Sequence, residues 1–215
     1  MLDNSLHKEL SMLKIYGSPR SSAGRCYLLL EEVGVPYQPV AIDMMEKKEH
    51  KAPEFLKLNP NGKVPCLVDG EFVIWESMAI NRYLADKYKP QLLGSSPEDR
   101  GLIEQWSLWA LLELQPPMVD LIIQTMFMPE NKRDAGVIAR AQEKVPTVLA
   151  VLDQALKGRD YLVGSELSLA DLNTASVVNV TFTVKINLDP YKNLLPWFNK
   201  IKNRPSFQKL AELRS

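Results

Sequence analysis

NPNGKVPCLVDGEFVIWESMAINRYLADKY, residues Asn59 to Tyr88, decides the fold. It reads as a loop with a Val64-Pro65 step, then a tight hairpin, then a strand running straight into a helix. X-Pro is the one peptide bond for which cis costs little, so Val64-Pro65 is the candidate cis bond. A cis turn there aims the N–H and C=O of Val64 outward, where an extended peptide can pair with them as an added strand. Asp69-Gly70 is the strongest short hairpin signal, joining Cys66-Leu67-Val68 to Phe72-Val73-Ile74-Trp75. Glu76-Ser77 opens the helix. Free N–H groups and the positive dipole end gather at such a start and hold a carboxylate. Glu76 can accept from an ammonium. Together the parts predict a site for a short extended peptide with an amino-acid head and a free carboxylate.

Upstream, Leu13-Lys14-Ile15-Tyr16 is a short strand, followed by a Gly17-Ser18-Pro19 turn and a helix from about Ser22 to Val33. Gly34 suits its C-terminal cap. Tyr37 to Ile42 is a second strand, and Glu46 to Leu58 is a weak helix or ordered loop. The resulting β-α-β-α-β-β-α order is thioredoxin-like. Its two outer β-α-β units are expected as right-handed crossovers.

Downstream, KPQLLGSSP at Lys89 to Pro97 is a turn-rich linker. Beyond it the pattern is helical. Leu102, Ile103, Trp106, Trp109, Ala110 and Leu112 follow a 3.6-residue period. Pro116-Pro117 is expected to break or kink that helix, and Pro146 to interrupt the amphipathic helix from Ala135 to Leu156. Leu167-Ser168-Leu169-Ala170-Asp171-Leu172 is a capping box with its hydrophobic staple, read as structural. The fold class is therefore α/β plus all-α: a thioredoxin-like N-terminal domain over residues 11–88, then an all-helical C-terminal domain over residues 98–215.

The chain of 215 residues has room for two such cores. Its 26 basic and 26 acidic residues balance, so nothing argues for nucleic acid or for a charged disordered tail. No apolar run approaches a membrane span. The first ten residues, MLDNSLHKEL, lack a signal-peptide apolar core and read as a loosely held extension. Two cysteines, Cys26 and Cys66, imply no disulfide framework and fit a reducing cytoplasm. Both read as buried small hydrophobes.

On the Val-Pro loop, the hairpin, Glu76-Ser77 and the capping box, the chain resembles the soluble glutathione transferases of the serine type. It is closest in motif to the phi and theta classes, and the likeness runs from Leu13 almost to the end. It implies a cytoplasmic transferase with detoxification chemistry. It also implies glutathione as co-substrate, an apolar electrophilic small molecule as second substrate, no metal, and a two-fold homodimer.

The resemblance also assigns residues. Ser21 matches the serine that stabilises the glutathione thiolate, because Arg25 lies four residues on, as an arginine does in phi- and theta-like enzymes. That spacing picks Ser21 over Ser22 and Ser18. A hydroxyl at a helix start has the means: lowering a thiol pKa by ~2 units takes only ~2.7 kcal/mol. His50-Lys51 resembles the phi-class pair that meets the glycyl carboxylate, with Lys63 at the same end. Val64 then pairs with the cysteinyl backbone, and Glu76 and Ser77 hold the γ-glutamyl head. Trp109, Leu112, Met118 and Ile122 are candidate liners of the electrophile site, although methionines and aromatics at helical spacing more often form core.

Two further enzyme activities share these motifs, a glutathione-dependent peroxidase and a zeta-like isomerase. RSSAGR is similar to the zeta motif but has Ala23 in place of its cysteine. Non-catalytic interaction modules of the same fold are the alternative of a different class. Ser21, Val64-Pro65 and Glu76-Ser77 occurring together argue against them.

Overall fold

The computed structural model describes residues 12–214, so the expected extension at residues 1–10 lies outside the described residues. Leu13–Tyr16 (β1) buries alternate side chains, as a strand on a core does. Tyr37–Val40 (β2) pairs with it in parallel, across the helix Gly24–Val33 (α1). Cys66–Asp69 (β3) pairs with β1 antiparallel, and Phe72–Trp75 (β4) completes the sheet in the order β2-β1-β3-β4. The second expected crossover is thus corrected. The connection through Pro53–Leu58 (α2) joins antiparallel strands. Asp69 pairs with Phe72, which leaves Gly70-Glu71 as the hairpin loop. Gly70 takes φ +63° at its first position, where a II′ turn needs glycine.

Ser77–Tyr88 (α3) packs on α1, burying Leu28, Leu29, Ile80 and Leu84 with the strand residues Ile15 and Leu67. Gly34 caps α1 at φ +71°, its N–H bonded to the Leu30 carbonyl at 3.0 Å.

The helical part comprises Pro97–Trp109 (α4), Gln115–Ile122 (α5), Ala135–Ala155 (α6), Leu169–Val178 (α7), Val180–Thr183 (α8), Leu194–Lys202 (α9) and Pro205–Arg214 (α10). The double proline does not break the path. The chain widens into a π-helical turn at Ala110–Leu114 and runs on without a break into α5, with Pro116-Pro117 in its first turn. Likewise α6 runs through Pro146.

Every residue of α7 is buried. The capping box expected there is present. The Asp171 carboxylate accepts from the Ser168 N–H (2.9 Å), the Ser168 hydroxyl (2.6 Å), the Leu162 N–H (2.8 Å) and Trp197 Nε1 (2.9 Å). Burial pushes that carboxyl above its ordinary range in spite of the four donors.

The last helix, α10, is pinned to α1 at both ends. Arg204 and Ser206 reach Glu32 near the end of α1, each at 2.7 Å. Arg214 reaches Pro19, just ahead of the α1 start, at 2.8 Å. The two helices therefore run antiparallel and join the domains along their length.

Candidate active site

Three pieces of chain meet beyond the end of β1: the loop from Gly17 to Ala23, the segment Lys63-Val64-Pro65, and the start of α3. Gly17 permits the approach. It takes φ +119°, and a Cβ there would lie 2.9 Å from Val64 Cβ. The Val64-Pro65 bond is cis, as the sequence suggested.

The paired serines do different things. The Ser21 hydroxyl donates to the Ser18 carbonyl at 2.7 Å and accepts from the Ala23 N–H at 3.2 Å, so both its roles are spent inside its own turn. Ser22 is exposed, and its hydroxyl donates to the Val64 carbonyl at 2.8 Å.

Before Val64 the chain is held by Asn59, which is 2% exposed. Its side chain donates to the Lys63 carbonyl at 2.6 Å and accepts from the Asn61 N–H at 3.0 Å. The short turn Glu49–Lys51 packs against this loop. Lys51 Nζ donates to the Asn61 carbonyl at 3.3 Å, and a Cβ on Gly62 would come within 2.8 Å of both the His50 carbonyl and Lys51 Nζ. His50, Lys51 and Lys63 are thereby gathered at one end of the Val64 segment. Lys51 and Lys63 are exposed, while His50 Nδ1 is buried without a hydrogen-bond partner among the described residues.

At the other end Glu76 precedes α3 with φ +71° and ψ 115°, a left-handed conformation that a side chain resists. Such strain costs roughly 1–3 kcal/mol and collects at binding sites. Glu76 is exposed. Ser77 beside it is buried, and its hydroxyl accepts from Arg25 Nη1 at 3.2 Å. Arg25 is itself buried and reaches through Nη2 to Gln115 Oε1 at the start of α5. Burial lowers the Arg25 pKa, and the Glu76 charge works the other way. The polar chain continues inward. Asn81 Nδ2 donates to the Arg25 carbonyl (3.2 Å) and to Asn173 Oδ1 (2.7 Å), and Asn173 Nδ2 donates to the Ser107 hydroxyl (2.9 Å).

Gln115 therefore marks where the helical domain touches this site, and sequence reasoning missed it. No local signal distinguishes a glutamine ahead of two prolines. Leu112 is exposed, and Trp109 and Ile122 are half-buried. Val119 and Ile122 lie four and seven residues beyond Gln115, on its face of α5, and Val119 is exposed. Met118, in contrast, is fully buried in the helical core. Its side chain reaches no surface, whereas that of its neighbour Val119 does.

Both cysteines are buried, as expected. Burial pushes the Cys26 thiol up to about 12, with the Arg25 charge opposing, and the Cys66 thiol up to about 11. Burial thus disfavours the thiolate of either.

Comparison with known proteins shows the family. The family model described as glutathione S-transferase, N-terminal domain, matches residues 11–86, and the one for the C-terminal domain matches residues 114–205. Glutathione S-transferase F10 of Arabidopsis thaliana is 36% identical over 209 residues, covering 93% of this chain and 96% of its own. The structure of a glutathione S-transferase-I bound with lactoylglutathione superposes with a TM-score of 0.86 at 35% identity, covering 94% of this chain and 100% of that one. The theta-class glutathione S-transferase of Xanthomonas axonopodis pv. citri, with glutathione bound, gives a TM-score of 0.84 at 33% identity, covering 92% and 95%. With both domain models matched and relatives of this identity aligned almost end to end, the chain belongs to the glutathione S-transferase family.

Proposed function

We propose that the chain binds glutathione along the line from Lys51 to Glu76 and activates its thiol for attack on an apolar electrophile. The γ-glutamyl carboxylate sits on the N–H and hydroxyl of Ser77 at the α3 start, with Glu76 taking the ammonium. The cysteinyl backbone pairs with Val64. The glycyl carboxylate lies at the other end, facing His50, Lys51 and Lys63.

One observation carries the thiol-activating step: the Ser22 hydroxyl rests on the Val64 carbonyl at 2.8 Å. A cysteinyl N–H that pairs with Val64 takes over this carbonyl. The Ser22 hydroxyl is then released beside the cysteinyl sulfur, at the start of α1, and its hydrogen bond favours the thiolate. Ser21, favoured by its spacing to Arg25, is the second reading. Its hydroxyl must first leave the Ser18 carbonyl. Either serine supplies a charge-assisted hydrogen bond, enough for much of the ~2.7 kcal/mol that a two-unit pKa shift requires.

The thiolate sulfur then forms a bond to an electrophilic carbon, and a leaving group departs with its electron pair. The exposed apolar side chains around Gln115, with Trp109, Leu112 and Ile122, hold that substrate by burial. The enzyme works as a cytoplasmic homodimer.

Calorimetry with millimolar glutathione tests the binding; conjugation of aryl halides and isothiocyanates, with glutathione-dependent reduction of peroxides measured beside it, tests the chemistry. Binding with turnover of at least one class is expected. Absence of glutathione binding overturns the reading.

A further inference from the structure

The thiol-activating loop is held from outside by a residue far away in sequence. Arg214, the last described residue of α10, donates from Nε to the Pro19 carbonyl at 2.8 Å. Arg20 answers from the loop, its Nε donating to the Arg214 carbonyl at 2.7 Å. A cation at the carbonyl end of a helix is electrostatically favoured there. The two arginines thus make a reciprocal clasp between the loop and the α10 C-terminus.

Gly24 shows how closely the clasp is fitted. It is the first residue of α1, where glycine is a poor helix former. A Cβ at this position would lie 2.4 Å from the Pro19 carbonyl oxygen and 2.5 Å from Arg214 Nη2. The missing side chain is the space the guanidinium occupies. Burial lowers the Arg214 pKa, and no carboxylate among the described residues forms an ion pair with it. A half-buried cation on a carbonyl, with no ion pair among the described residues, contributes little through charge pairing. Its geometry is instead specific for the turn that carries both serines. Within that turn, Ser21 N–H bonds the Ser18 carbonyl and Gly24 N–H bonds the Ser21 carbonyl, each at 2.9 Å.

We propose that Arg214 is a positioning residue: by fixing Pro19 against Gly24 it sets the serine turn and the α1 start in register with Val64, and so sets the pKa of the bound glutathione thiol. This rests on the thiol activation proposed above. The other end of α10, held by Glu32, anchors the clasp to the domain interface.

Amide hydrogen exchange of the ligand-free protein tests the latch without reference to glutathione. In Arg214→Met, exchange at residues 18–24 should quicken by ~10-fold or more, with the sheet unaffected. Gly24→Ala should reproduce this from the other side, Arg214→Lys should restore part of the protection, and Lys209→Ala on the outer face of α10 should change nothing. With glutathione, Arg214→Met should bind within about threefold of wild type. The pKa of its bound thiol should rise by roughly half a unit or more, and kcat at neutral pH should fall by ~3-fold or more and recover in alkali. Unchanged exchange at 18–24 in Arg214→Met overturns the inference. So does faster exchange throughout the domain with a flat kcat loss at every pH, the mark of general destabilisation. If wild type leaves the bound thiol at its free pKa, the proposed activation fails, while the exchange result still decides the latch.

Discussion

The Ser22 hydroxyl and the Val64 carbonyl are hydrogen-bonded across 2.8 Å, from residues 42 apart in sequence. The Gly17 backbone makes the approach possible, since any side chain there would collide with Val64. A cysteinyl N–H that pairs with Val64, as proposed, would exchange one donor for another at that carbonyl and leave the Ser22 hydroxyl beside the sulfur.

Ser22→Ala should leave glutathione affinity within a few-fold, raise the pKa of the bound thiol toward its free value, and reduce turnover near neutral pH by ~10-fold or more. That corresponds to losing ~1.4 kcal/mol of thiolate stabilisation. Ser21→Ala should have the smaller effect on the thiol and a larger one on loop order. Ultraviolet absorbance of the bound thiolate against pH, read beside the rate profile, separates the two. If Ser21→Ala is the damaging change, the spacing to Arg25 was the better guide.

Glu76 should trade stability for binding. Replacing it with glycine relieves a φ of +71° and removes the carboxylate. Glu76→Gly should melt no lower than wild type, while the Kd for glutathione weakens by ~10-fold, the usual worth of a hydrogen bond to a charged group. Unaltered affinity together with a lower melting temperature would make Glu76 a structural residue.

Much of this was legible before the structure. The Val-Pro step, the hairpin and the strand-to-helix junction are local signals with local causes, as is the Ser168–Asp171 box. What local signals did not carry was non-local. Two adjacent serines at a helix start carry the same propensity, and the packing of Val64 against Gly17 is what brings the Ser22 hydroxyl, rather than that of Ser21, onto the Val64 carbonyl. Met118 is a candidate liner by the resemblance, yet its side chain is fully buried, in keeping with the tendency of methionines at helical spacing to form core. The antiparallel course of β3 depends on the end of the sheet at which the connection through α2 returns the chain, which strand composition does not encode. Arg25, Gln115 and Arg214 lie far apart in sequence, and only the fold brings each to the site.

The two thiols should be silent in the native protein. With burial holding Cys26 up at about 12 and Cys66 at about 11, an aromatic disulfide reagent at pH 8 should titrate almost nothing until the chain is unfolded. A fast-reacting thiol in the native state would contradict this burial and would compete with glutathione for electrophiles.

The homodimer should sediment at roughly twice the 24.4 kDa chain mass at micromolar concentration. Phe72 and Trp75 on the edge strand β4, and Leu102 on α4, are exposed apolar side chains suited to a covered face. A 24 kDa species under those conditions would refute the assembly.

Glu32 should make stability depend on acid. Its carboxylate accepts from Arg204, Lys89 and Ser206, joining α1 to the start of α10. Burial raises its pKa, but the three donors and the Arg204 charge outweigh burial and hold it at about 2. An unfolded glutamate titrates near 4.3. The folded pKa is the lower one, so the stabilisation is complete above the unfolded value and is lost as pH falls toward 2. Lys89 and Arg204 remain about a third exposed, so screening leaves an estimated ~1–2 kcal/mol of the larger value the shift alone implies. Urea unfolding of wild type and Glu32→Gln should differ by about that amount at pH 7, and the gap should narrow steadily between pH 4.5 and pH 3. The difference between the two proteins is the informative quantity, because other carboxylates such as Asp153 also lose stabilisation in acid. A gap that stays constant over that range would mean that Glu32 contributes packing alone, and the α1–α10 join would then owe nothing to its charge.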